Sequence, residues 1–146
     1  MKIDHLRLTR TVLFVMLLGF IVLAAVLNSV QAQNWWTASR EPVGLAPDPA
    51  STPEAIIQVY GARTFSWRGY FGIHTWIAVK PTQAKTYTVY EVIGWLQRRK
   101  LSVVSIHQNA PDRHWYGNLP EILLEKRGGG VDAMIKRIDQ AARAYP

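Results

Sequence analysis

The clearest pattern along the chain is a charge-free apolar run at 11–30. A helix of that length rises about 1.5 Å per residue and spans about 30 Å, the thickness of the hydrocarbon core of a bilayer. Three cations precede the run, Lys2, Arg7 and Arg10. Because such cations stay on the cytoplasmic side, the pattern predicts a cytoplasmic basic segment at 1–10 and a transmembrane helix at 11–30.

A secretory signal has a similar pattern and is cleaved after small residues. Cleavage after Ala32 fits this rule and would release the rest of the chain to the periplasm. The apolar run is longer than most signals, however, and Trp35 and Trp36 come after it where interfacial rings are found. We therefore expect an uncleaved anchor in a bacterial inner membrane, with the C-terminal domain in the periplasm. The expected partners are the membrane itself, at 11–30, and an envelope component or membrane protein.

Residues 31–54 contain four prolines, Pro42, Pro47, Pro49 and Pro53. Proline lacks a backbone donor and fixes its own φ, so this stretch cannot form a continuous helix or a central strand. We predict an extended Pro-rich linker that leads to a domain at 55–146.

The domain begins with short β-branched and aromatic segments that are typical of strands. We predict four strands, at 55–63, 72–79, 86–95 and 101–107. The second and third form an antiparallel hairpin across a turn at 81–85. Alternation in the second strand puts His74, Trp76 and Ala78 on one face and Ile73, Thr75, Ile77 and Val79 on the other.

Two helices are predicted after the strands. Pro120 stands at a favourable first position for a helix over 120–127, which glycines at 128–130 end. Apolar residues at helical spacing predict a second helix at 131–144. The chain is thus expected to be an α+β protein, with an N-terminal transmembrane helix and then a small antiparallel sheet of about four strands packed on two C-terminal helices.

Composition removes several classes of function. The chain has no cysteine, which excludes disulfides, thiolate metal sites and a cysteine nucleophile. Its net charge of +7 favours anionic partners in general. The only tight basic cluster, at 98–100, is too short for a nucleic-acid tract, and the expected topology also argues against nucleic acid.

His74 and Glu91 are the candidate catalytic residues. The predicted hairpin places Glu91 opposite His74 or one residue away, and a carboxylate beside an imidazole supports general-base chemistry. A slip of one residue would move Glu91 to the other face of the sheet. A histidine satisfied by backbone groups inside the core is the alternative interpretation.

Aromatic residues supply the candidate ligand-binding surface. The candidates are Trp76, Trp115, Tyr116 and Asn118, of which the last three lie in a polar loop at 111–118. We expect Trp76 and Trp95 in the core, where large side chains bury the most area. Although His74, His107 and His114 offer ring nitrogens, they lack a compact ligand spacing, so we expect no metal site and no cofactor.

Several strings resemble an uncharacterised proteobacterial family, catalogued as a domain of unknown function, whose members begin with a membrane segment. The most specific are His74-Thr75-Trp76 and Tyr90-Glu91-Val92-Ile93-Gly94-Trp95, supported by Val59-Tyr60-Gly61-Ala62-Arg63 and Trp115-Tyr116-Gly117-Asn118. The resemblance covers 35–146. Family members continue beyond the equivalent of Pro146 into a polar segment, so a shortened member or a lost end is expected.

The setting of His74 is also similar, more distantly, to that of the catalytic histidine in permuted NlpC-type, papain-like hydrolases. Their cysteine nucleophile lies later in the chain, and here it has no counterpart. The resemblance implies a degenerate, inactive relative. We therefore expect a non-catalytic binding or scaffolding domain at the cell envelope; the alternative is a hydrolase or transferase acting on an envelope peptide, amide or lipid, with His74 as base.

Overall fold

The computed structural model describes residues 5–30 and 35–146. They form two compact units, which divide between Thr37 and Ala38. Residues 1–4 of the predicted cytoplasmic segment and the predicted cleavage position after Ala32 lie outside the described residues.

The N-terminal unit contains one helix, α1, at His5–Val30. The helix expected at 11–30 is therefore present and begins six residues earlier. Residues 5–10 contain no proline or glycine, so nothing in the sequence stops the helix there. Its assignment as transmembrane is not supported: in the part of the chain that the structure describes, no helix meets the length and apolarity needed to cross a membrane.

The second unit is an α+β domain built on a five-stranded antiparallel sheet. The strands are β1 (Ile56–Arg63), β2 (Ile73–Lys80), β3 (Thr88–Val92), β4 (Val104–Gln108) and β5 (Glu121–Arg127), in the order β4-β3-β2-β1-β5. One helix, α2 (Val131–Ala144), comes after the last strand. Short 3-10 helices at Ser66–Tyr70 and Gly94–Arg99 connect β1 to β2 and β3 to β4. The four predicted strands and the hairpin between the second and third are confirmed.

The helix predicted at 120–127 is wrong, because these residues form strand β5. An isolated helix of this length is marginal in water, whereas β1 offers a row of backbone groups to a neighbouring strand. A bulge beside Val59 and Tyr60 adjusts the pairing. Leu123 packs over Gly61, whose missing side chain leaves room for it: a Cβ there would lie 2.8 Å from the Leu123 Cδ1 atom.

The sheet buries a different core on each face. The helix face packs against α2, and its buried residues are Ala55, Ile57, Val79, Tyr90, Val131 and Ile135. We call the opposite side the loop face; its buried residues are Ile56, Tyr60, Ala62, Trp76, Ala78, Tyr87, Val89, Ile93 and Trp115. Irregular segments cover the loop face, and one of them supplies Trp115.

The segment 38–50 is part of this cover. The Asp112 carboxylate accepts hydrogen bonds from the backbone N–H groups of Leu45 (2.6 Å) and Ala46 (3.2 Å), and the Tyr87 hydroxyl donates to the Pro47 carbonyl (3.0 Å). The compact unit therefore begins at Ala38 and includes this segment. Prolines exclude helix and strand from this segment but do not prevent it from packing on a sheet.

Candidate functional site

Glu91 stands at the centre of the polar residues on the loop face. Strand pairing sets Glu91 opposite Trp76, two residues along β2 from His74 and on the same face. The contact with His74 is therefore diagonal, with 3.1 Å between His74 Nε2 and Glu91 Oε2. The predicted proximity of the two side chains is present, although Glu91 is one residue farther along than expected.

Two more cationic or ionisable groups reach the same carboxylate. Arg113 donates from Nη2 to Glu91 Oε1 at 2.6 Å, and His107 Nε2 lies 3.5 Å from that oxygen. We call His74, Glu91, His107 and Arg113 the Glu91 cluster. Side-chain exposure is 5% for Glu91, 11% for Arg113, 14% for His74 and 30% for His107. Both carboxylate oxygens are thus engaged in a largely buried setting.

Burial and partner charges act in opposite directions on Glu91. Burial alone raises the pKa of the carboxyl, but the hydrogen bond from His74 and the charges of Arg113 and His107 outweigh it. The pKa of Glu91 therefore lies below its ordinary value of 4.5, and the carboxylate stays ionised. Burial lowers the pKa of His107 below 6.5, an effect that the neighbouring Glu91 partly offsets.

Trp115 closes the cluster from above. Its ring stacks on His74 with 3.6 Å between centroids and 12° between planes, and Trp115 itself is buried. The expected surface position of Trp115 is therefore wrong, and its role in ligand binding stays a prediction. A loop that is polar in sequence can still bury its tryptophan when it folds back onto a sheet face.

Trp76 lies in the core, as predicted. Its indole Nε1 donates to the Pro111 carbonyl at 2.7 Å, which ties the loop to the sheet beside the Glu91 cluster. The expected core position of Trp95 is wrong, because that side chain is half exposed. Strand β3 ends at Val92, and the next 3-10 helix carries Trp95 away from the alternating pattern.

Tyr116 and Asn118 are half-buried residues of the tight turn after Trp115. The Arg40 guanidinium lies 4.3 Å from the centre of the Tyr116 ring. The Asn118 backbone pairs with that of Trp115. These two side chains therefore lie outside the Glu91 cluster, as does His114, whose Nδ1 is 2.8 Å from the Glu41 carbonyl oxygen.

A side chain that could act as a nucleophile, Ser105, lies beside the Glu91 cluster. The Ser105 hydroxyl lies 3.4 Å from His107 Nδ1, at the long limit for a hydrogen bond. The other ring nitrogen of His107, Nε2, faces Glu91, whose charge Arg113 already neutralises. His107 is therefore a weak base for the Ser105 hydroxyl and gives it little activation as a nucleophile. No group of three His, Cys, Asp or Glu residues is placed to hold a metal ion in the described ranges.

A surface groove of about 680 Å³ runs between the covering segment and the sheet at the opposite end from His74. Its lining is mainly apolar and includes Pro42, Pro47, Tyr87 and Pro111. A second groove, of about 470 Å³, lies on the helix side beside Ile138 and Tyr145. Neither groove contains the Glu91 cluster as a whole.

Sequence reasoning missed Arg113, His107 and Asp112 as partners in this region. Asp112 and Arg113 stand next to each other in a loop, and only the path of that loop across the sheet brings one to the segment 38–50 and the other to Glu91. A residue pattern without strand spacing gives no signal for such a path. The alternation of side chains along β4 predicts which residues share a face with His107, but it does not tell which face of the sheet that is.

The sheet order and the cluster define a small antiparallel α+β domain with a buried, fully engaged carboxylate on its loop face. The chain belongs to the family of proteins of unknown function DUF3750, whose family model matches residues 54–146. No curated protein and no solved structure matches the chain. The resemblance to an uncharacterised family is thereby confirmed, whereas the NlpC-type likeness stays a prediction.

Proposed function

We propose that this protein is a non-catalytic binding or scaffolding domain located at the cell envelope. In this proposal the Glu91 cluster has a structural role: it holds the loop around Trp115 on the sheet. The protein's binding capacity then lies on the outer surface of the domain and not in the cluster.

The observation that supports the structural role is the saturation of Glu91. Arg113, His74 and His107 all approach one carboxylate that is almost entirely buried. A general base must reach a substrate proton, yet the ring face of His74 is covered by Trp115 and its Nε2 is already paired. A buried charge of this kind serves to specify one arrangement of loop and sheet.

The envelope location is supported by sequence alone. The charge-free run at 11–30 comes after three cations, a pattern that favours insertion in a bilayer and export of the C-terminal domain. The alternative of cleavage after Ala32 leads to the same compartment without the anchor.

A hydrolase or transferase with His74 as base is the second candidate function. The 3.1 Å contact between His74 and Glu91 favours it, since a carboxylate partner orients an imidazole and raises its basicity. It requires Trp115 to move away from His74 when a substrate arrives. The absence of cysteine from the sequence leaves it without the nucleophile of papain-like enzymes.

Replacing His74 separates the two functions. If the cluster is structural, His74→Ala lowers the free energy of unfolding, and His74→Gln, which can still donate to Glu91, restores part of it. If the protein is an enzyme, both variants stay stable while hydrolysis of envelope peptides, amides or esters disappears. A stable His74→Ala protein that loses such an activity would refute the proposed structural role.

The location is tested with reporters fused after Pro146. An envelope protein gives alkaline phosphatase activity and no fluorescence from a cytosolic folding reporter, and intact mass measured after fractionation shows whether the chain begins at Met1 or after Ala32. Activity of the cytosolic reporter alone would contradict the proposed location.

A further inference from the structure

One end of the sheet differs from the other in the kind of side chain that it exposes. The two 3-10 helices connect neighbouring strand pairs, β1 to β2 and β3 to β4. Because β2 and β3 are adjacent and antiparallel, both connections lie at the same end of the sheet. Two strand spacings separate them, about 10 Å. We call this end, formed by 64–72 and 93–103, the aromatic end.

The aromatic end exposes large apolar side chains. Exposure is 86% for Phe71, 54% for Trp67, 52% for Trp95 and 56% for Leu101. At the opposite end of the domain the connection between β2 and β3, at 81–87, has no large hydrophobic side chain exposed among these described residues. Apolar side chains are also exposed elsewhere, at Leu45 and along β5, but here four large ones lie on two connections at the same end of the sheet. Such a patch marks an interaction surface.

Cations accompany these side chains. Arg68 lies over the Trp67 ring, with 5.1 Å from its Cζ atom to the ring centre, and Arg98, Arg99 and Lys100 come soon after Trp95. The segments 64–72 and 93–103 contain no Asp or Glu. The acids of the sheet that lie beside this end are Glu91, which is ion-paired with Arg113, and Glu121 at the start of β5. The end is therefore both apolar and positively charged, which complements an anionic bilayer surface more closely than a neutral protein groove.

The start of the domain also lies near the aromatic end. Ser39, near the start of the domain, accepts a backbone hydrogen bond from Gly117, close to the loop position where Trp115 stacks on His74. His74 is the second residue of β2, beside the aromatic end. The first residues of the domain therefore lie near the aromatic end and not near the 81–87 turn.

We propose that the aromatic end docks on an anionic lipid surface, with Trp67, Phe71, Trp95 and Leu101 in the interfacial layer and the cations on the phosphates. This docking rests on the proposed envelope location. Rings and aliphatic groups at headgroup depth together with basic side chains near anionic lipid give an attachment that weakens as salt screens the charges.

The absence of cysteine from the sequence allows a direct test with single labels on the full chain. Phe71→Cys and Leu101→Cys place a polarity-sensitive NBD probe at the aromatic end, and Ala133→Cys places it in the exposed first turn of α2, at the other end of the sheet. Each protein is reconstituted in phosphatidylcholine vesicles with and without phosphatidylglycerol, and thermal melting by circular dichroism checks that each is folded.

Docking predicts that the probes at 71 and 101 shift to shorter wavelength with phosphatidylglycerol, that high salt reverses the shift, and that the probe at 133 does not respond. Charge reversal at Arg98, Arg99 and Lys100 together is expected to abolish the shift. The matched reversal Lys136→Glu with Arg137→Glu, on exposed positions of α2, is expected to leave it unchanged.

Two failures are distinguishable in this experiment. If the protein does not float with vesicles of either composition, the uncleaved membrane anchor is overturned and the docking with it, while the reporter fusions decide the envelope location separately. If the protein floats but the probes at 71 and 101 behave like the probe at 133, the docking alone is overturned.

Discussion

The helix face and the loop face of this sheet are closed by different kinds of structure. On the helix face, regular helix α2 covers aliphatic residues and Tyr90, and the buried residues there are apolar apart from the tyrosine hydroxyl. On the loop face, irregular segments cover an aromatic core that also contains the buried polar residues Gln58, Glu91 and Asp112.

The difference shows the requirements of an irregular cover. A helix satisfies its own backbone groups and needs only an apolar stripe to pack, whereas a loop brings unpaired N–H and C=O groups that must find partners. Asp112 accepts from two backbone N–H groups, and Trp76 donates to a loop carbonyl. Glu91 then fixes the loop by its ion pair with Arg113. Directional contacts on the loop face replace part of the close packing on the helix face.

The largest expected effect comes from Glu91→Ala, which leaves three partners without their shared acceptor. Removing one side of a buried ion pair costs about 3–5 kcal/mol, so the free energy of unfolding in urea should fall by that amount. Glu121→Ala, on an exposed carboxylate of β5, serves as control and should change it by less than about 0.5 kcal/mol. A Glu91→Ala protein as stable as the control would remove the basis for a structural cluster.

On the helix face, Ile135→Ala should cost about 2–4 kcal/mol because it opens a cavity between α2 and the sheet. The neighbouring Lys136→Ala, exposed on the same helix, should change stability by less than about 0.5 kcal/mol. Thermal and urea unfolding measure both. If Ile135→Ala resembled its neighbour, the apolar closure of this face would be wrong.

Asp112→Ala should have a smaller and more local effect. It removes the acceptor of the Leu45 and Ala46 amides and should cost about 1–3 kcal/mol. Hydrogen exchange should quicken at those two amides and stay unchanged at amides of α2. Equal exchange changes in the segment 38–50 and in α2 would mean that the two faces do not respond separately.

Acid should weaken the loop face first. The pKa of His107 is lowered in the folded protein, so the unfolded chain takes up the proton first as pH falls below 6.5, and the contribution present above 6.5 is lost as pH falls through the folded pKa. Glu91, whose pKa is also lowered, adds a second loss below 4.5.

His107→Gln should therefore flatten the change in urea midpoint between about pH 7.5 and about pH 5.5. Ile135→Ala, on the helix face, should shift the midpoint equally at both values. A His107→Gln profile with the same slope as the natural protein would show that His107 does not link the loop face to pH.

The same contrast explains how much could be predicted from the sequence. The strands have short alternating patterns and α2 has helical spacing, so both were predictable from local residues, as was the shared face of His74, Trp76 and Ala78. Strand β5 was not, because Glu121–Arg127 has no alternation and forms a strand only through pairing with β1. Arg113 and Trp115 reach their positions through the path of a loop, and no spacing rule encodes that path.

A double-mutant cycle between Glu91 and Arg113 measures whether this ion pair joins the loop to the sheet. Unfolding free energies are measured for the natural protein, Glu91→Gln, Arg113→Met and the double variant. We expect a coupling of about 1.5–3 kcal/mol, so that the second change costs much less once the first is made. Additivity within about 0.5 kcal/mol would contradict it.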